Sequence, residues 1–172
     1  MRIFKEEQKF TQLWLYILSI ISFAVLIVVV AKAYVGSNGY NNDSLIGLIV
    51  VLGSMILVYG LILSFKLKTR IDEKGIYYRL IPFHLSIKFI AWHELNKAYV
   101  RKYDPISEFG GWGMKVRLLK RKSKGVAFNV KGNIGLQLEL QNGKKILIGT
   151  QKEEAVKSVL LTYSDKIINH EN

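Results

Sequence analysis

Hydrophobic positions fall in three regimes along the chain. Residues 10–31 and 44–65 are two runs of twenty-two residues without a charge. From residue 66 the apolar positions come in short runs between turn signals, and the last twenty or so residues return to a helical period. At 1.5 Å per residue the run 44–65 makes a helix of roughly 33 Å, against a hydrocarbon core of about 30 Å. It shows no polar face of the kind a soluble core helix carries. The pattern predicts a transmembrane hairpin with spans at about 10–34 and 44–65. Trp14, Tyr16 and Tyr34 sit near the ends of the first span, where amphipathic rings favour the interface. A cleaved signal peptide is the competing reading, because Ala31-Lys32-Ala33 is a small-x-small sequence. Signal cores run about 7–15 residues, and the greater length here favours a retained span.

Beyond the hairpin, strands are expected at 66–72, 75–83, 85–91, 95–103, 113–119, 125–131, 134–140 and 144–149, with 85–91 and 95–103 able to form one bent strand. About seven antiparallel strands without intervening helices predict a sandwich or barrel. Residues 136–140, LQLEL, alternate without a fault. In the following hairpin, a two-residue Asn142-Gly143 turn would put Ile146 and Ile148 on the polar face. A three-residue loop, 141–143, pairs Leu140 with Lys144, Leu138 with Ile146 and Leu136 with Ile148, so that five aliphatics share one face. Register follows the buried pattern, which predicts a type I turn with Gly143 in the left-handed region. An amphipathic helix is expected over 151–168, opened by a capping box of Thr150 and Glu153 and carrying a stripe of Val156, Val159, Leu160, Tyr163 and Ile167. The domains are thus 1–65, an N-terminal segment with the hairpin, and 66–172, a β domain capped by the helix.

Charge adds a location. The chain carries a net +12, and residues from Lys66 onward hold 21 Lys/Arg against 10 Asp/Glu. A domain this basic favours anionic surfaces, and a membrane tether turns that preference toward lipid headgroups rather than nucleic acid. Arg2, Lys5 and Lys9 precede the first span, Lys66, Lys68 and Arg70 follow the second, and the connection 35–43 has no cation. Lys32 can snorkel toward that connection. The positive-inside rule then places both termini on the cytoplasmic side of a multi-pass cytoplasmic-membrane protein. The chain has no cysteine, which excludes disulfides, thiolate catalysis and Cys-ligated metals.

Candidate chemistry is sparse. Lys120, Arg121, Lys122 and Lys124 put four cations into five residues between two strands, a set suited to headgroup contact at about 1 kcal/mol per cation. Lys66, Lys68 and Arg70 are juxtamembrane cations that stop-transfer charge explains. Trp112, among Gly110, Gly111 and Gly113, must dock on the β core or dip into the interface. His84, His93 and His170 are scattered, His93-Glu94 lacks the second histidine of a zincin, and Asp104 and Glu108 read as a turn beside Pro105. No phosphate-cradling glycine spacing is present. The residues point to no catalytic set, no metal site and no cofactor.

The stretch 105–152, with PISEFGGWG, GVAFNVKGNIGLQLEL and NGKKILIGTQK, resembles a group of small bacterial two-span membrane proteins with a pleckstrin-homology-like (PH-like) domain. The resemblance implies an antiparallel PH-like β-barrel facing the cytoplasm. PH domains hold phosphoinositides on a basic first hairpin, and Lys68, Arg70, Lys74 and Arg79 fall near that place with a spacing that departs from the usual pattern. The function expected is that of a non-enzymatic binding or scaffolding module at the cytoplasmic leaflet, contacting anionic lipid or another membrane protein. The alternative is an accessory subunit whose spans pack against a transporter or membrane enzyme, with Gly47, Gly53, Ser54 and Gly60 allowing close helix approach.

Overall fold

The computed structural model describes residues 2–36, 42–116 and 125–167, with backbone alone at 33–36, 42–45 and 115–116. The chain forms two units, one of residues 11–64 and one that joins residues 1–10 to 65–172. In the first, α1 (Leu13–Gly36) and α2 (Asn42–Ser64) are long and apolar enough to cross a membrane. Almost none of either apolar window is buried within the chain, unlike the core helix of a soluble domain. The helices touch through the Phe23 and Tyr59 rings, 5.9 Å apart, and a 3.0 Å hydrogen bond from the Tyr59 hydroxyl to Ser22.

The second unit begins with a strand that the pattern did not predict. β1 (Phe4–Lys9) pairs antiparallel with β2 (Lys66–Ile71), and β3 (Gly75–Ile81) and β4 (Lys88–Ala91) complete a four-stranded sheet in the order β1-β2-β3-β4. The N-terminal segment therefore belongs with the β domain rather than with the hairpin. Its buried side holds Phe4, Glu6 and Gln8, so only one of three inward residues is apolar. That is why no alternation was visible. Opposite them Leu67, Ile71, Ile76, Leu80 and Ile90 face the core.

A second sheet follows, built from β5 (Leu95–Lys102), β6 (Gly113–Val116), β7 (Gly125–Asn129), β8 (Ile134–Leu140) and β9 (Lys145–Gly149), ordered β5-β8-β9-β7-β6. Residues 85–91 and 95–103 do not form one bent strand, because a 3-10 turn at Trp92–Glu94 separates them. The two sheets are not closed into a barrel, and β7 lies parallel to β9. The parallel pair corrects the all-antiparallel expectation. The run Ile146-Leu147-Ile148 is apolar on both faces, which suits β9 to a central place with a strand on each side.

The last hairpin has the three-residue form. Leu138 pairs with Ile146 and Leu136 with Ile148, the Leu140 amide donates to the Lys144 carbonyl at 2.9 Å, and Gly143 has φ +76°. The opposite face of this sheet is covered only in part, with Lys97 and Tyr99 exposed on it. A short helix, α3 (Pro105–Phe109), covers that part, and Tyr103, Ala127, Leu147 and Phe109 form a second small core there. Asp104 caps α3 by accepting from the Ile106 and Ser107 amides, and Glu108 forks onto Arg101 at 3.1 and 2.9 Å.

The main core is closed by α4 (Glu153–Thr162) and a 3-10 turn at Ser164–Lys166. Val156, Val159, Leu160 and Tyr163 are buried on it, each such side chain stabilising the fold by roughly 1.5–3 kcal/mol. The capping box is absent. Lys152 occupies the cap position without a side-chain bond, Glu153 pairs with Lys157 at 2.9 Å, and Thr150 donates its hydroxyl to Glu6 at 2.6 Å.

Candidate functional site

Register brings the cations of the first sheet onto one surface. Since Lys5 pairs with Arg70 and Arg70 with Tyr77, while Glu7 pairs with Lys68 and Lys68 with Arg79, these residues form two rows on the outward face. Lys9 and Lys66 make a third pair at the sheet end. Six cations thus stand with one carboxylate, Glu7, among the described residues of these three rows. Between the first two rows runs a trough of about 560 Å³, lined also by Glu6, Thr69, Tyr78 and Ile87. Three of its cations are held in place. Lys68 meets Glu7 at 3.1 Å, Arg70 meets Asp72 at 2.7 Å and lies over the Tyr77 ring, and Arg79 Nε donates to the His84 carbonyl at 3.1 Å. The Lys68 ammonium, bonded to Glu7, lowers that carboxyl's pKa below its ordinary value, so the acid stays ionised near neutrality. The surface suits a singly or doubly charged anion with an apolar part that can lie on Tyr77 and Ile87.

His84 fixes the loop beside the trough. Its ring is buried between Tyr78 and Phe128, and Nδ1 accepts from the Leu80 amide at 3.2 Å. Burial, then the Lys88 and Arg79 cations, lower its pKa, so the fold favours the neutral ring. A group depressed in this way stabilises fully above its unfolded value, near 6.5, and the contribution is lost as pH falls toward the lower folded value. The apparent melting temperature of the full-length protein in detergent should therefore drop on going from pH 7.5 to pH 5. His84→Gln should make that drop smaller; an unchanged slope would remove His84 from the effect.

The other candidates fall elsewhere. Lys120, Arg121, Lys122 and Lys124 lie outside the described residues. Trp112 is docked rather than free, half-buried with its indole N–H donating to the Gly132 carbonyl at 3.0 Å. The Lys74 amide donates to Asp72 at 2.9 Å in the β2–β3 turn. Glu94 returns to the Ala91 amide, and Asp104 and Glu108 serve the α3 cap and its ion pair with Arg101. No group of three metal-ligating side chains occurs among the described residues. Lys5 and Lys9 were missed as site residues because their strand carries no hydrophobic period. Only their alternation with Glu6 and Gln8 could have marked them. No family model, curated protein or solved structure matches the chain.

Proposed function

We propose that this protein is a membrane-anchored, non-enzymatic binding module that holds the basic face of its first sheet against anionic lipid headgroups at the cytoplasmic leaflet. The trough between the Lys5–Arg70–Tyr77 and Glu7–Lys68–Arg79 rows carries the reading. The ladder between β1 and β2 supports the topology, since strands from before and after the two helices must meet on one side of a bilayer that the pair crosses twice. Two sheets facing one core with a closing C-terminal helix are in keeping with a PH-like domain. The same ladder supports a retained first span, because cleavage after it would remove β1.

The test uses the full chain, since β1 and β2 flank the helices and a fragment beginning after α2 would lack β1. Short-chain phosphatidylglycerol should bind the detergent-solubilised protein, phosphatidylcholine should not, and binding should weaken steeply with salt. Replacing Lys68, Arg70 and Arg79 by Gln should cost up to about 3 kcal/mol, at about 1 kcal/mol per cation. Replacing Lys97, Lys102 and Lys144, exposed on the second sheet and its last hairpin, should cost much less. Equal losses would reduce the idea to bulk charge. Absence of binding would favour the accessory-subunit reading, whose support is that Gly47, Gly53 and Gly60 of α2 have open space where a side chain would lie. A stoichiometric protein partner after gentle solubilisation would mark that case.

A further inference from the structure

Residues 82–87 connect β3 to β4 with the polarity of a soluble loop reversed. His84 points into the core, while Phe83 is 51% exposed, Leu85 91% and Ile87 62%. Phe89 continues the exposed series along β4. These alternating apolar residues read as a half-buried strand from sequence, yet the strand starts only at Lys88 and its inward residue is Ile90. The His84 bonds to Leu80 and Arg79 hold the loop in this sense, so the exposure is built into the fold.

The loop also has a definite place. β1 leaves the sheet toward α1 after Lys9, β2 enters from α2 at Lys66, and Lys66 is paired with Ile81, the residue before the loop. Both connections to the helices and the apolar loop therefore share one end of the sheet. Phe65, the residue after α2, packs edge-on to Phe10 at 5.6 Å and to Phe83 at 5.2 Å. Lys9 and Lys66 lie at the same end and Lys88 begins β4, cations that suit the phosphate level around a shallowly inserted apolar tip.

We propose that the 82–87 loop is a membrane-inserting tip, with Phe83, Leu85 and Ile87 in the acyl–headgroup boundary of the leaflet in which the helices end. It rests on the membrane-anchored reading and adds to it a second, apolar contact. The tip and the basic trough, which Ile87 borders, then face lipid together.

Because the chain has no cysteine, the full-length protein reconstituted in phosphatidylglycerol–phosphatidylcholine vesicles can carry single environment-sensitive fluorophores. Leu85→Cys tests the tip, Leu57→Cys marks the outside of α2, and Leu161→Cys, exposed on α4, marks an aqueous site. Label at 85 should be blue-shifted and quenched by brominated lipid several-fold more than label at 161, approaching the value at 57. Quenching at 57 with position 85 resembling 161 would overturn the tip and leave the membrane reading standing. No quenching at 57 would overturn both. A blue shift at 85 without lipid quenching, together with disulfide formation between two unlabelled Leu85→Cys chains, would overturn the tip in favour of a second copy.

Discussion

Glu6→Ala is expected to destabilise the β unit by about 3 kcal/mol, read as a lower denaturation midpoint of the full-length protein in detergent. Glu6 is buried on the inner face of β1 and accepts from the Thr150 hydroxyl at 2.6 Å and the Gln151 amide at 2.8 Å. Removing it strands two donors, one of them buried, and leaves a void where the first residues meet the last strand. The neighbouring bond from Gln8 Nε2 to the Gly149 carbonyl, at 2.7 Å, would be strained in turn. Glu7→Ala is the control, because its pair with Lys68 is exposed and such pairs contribute about 0–1 kcal/mol. Equal effects of the two substitutions would mean that β1 is not locked to the 149–151 segment.

Trp92→Ala should cost still more, about 3–5 kcal/mol by the loss of a large core aromatic. Trp92 is 3% exposed, lies 5.3 Å from the Tyr163 ring and donates its indole N–H to the Asp72 carbonyl at 2.9 Å. It thereby joins the β2–β3 turn, the 3-10 turn between the sheets and the C-terminal helix. Trp92→Phe should recover much of the packing and lose the hydrogen bond, a cost of about 1 kcal/mol. Trp112→Ala, at a half-buried ring, should fall below Trp92→Ala. If Trp112 proved the costlier site, the main core would not be organised around Trp92.

Where one face of an element is continuously apolar, the sequence by itself determined the outcome. Two uncharged runs of twenty-two residues became α1 and α2, because apolar runs of that length are too long for strands and a helix satisfies their backbone groups internally. The register of the 134–149 hairpin was legible for a related reason, since slipping one residue would have moved Ile146 and Ile148 to the face away from Leu136 and Leu138. The stripe from Val156 to Tyr163 announced α4 and its buried side. Long-range partners decided the rest. β1 exists because Glu6 and Gln8 find donors and acceptors at 149–151, groups more than a hundred residues away that no local pattern reveals. Thr150 reads as a helix cap only until Glu6 claims its hydroxyl. The face carrying Gln137 and Leu147 looked solvated until α3 folded over part of it, and β9 took a central place because it had partners on both edges. The basic trough has the same origin. Lys5 lies sixty-five positions from Arg70 in sequence, and only pairing of the strands on either side of the helices puts them side by side.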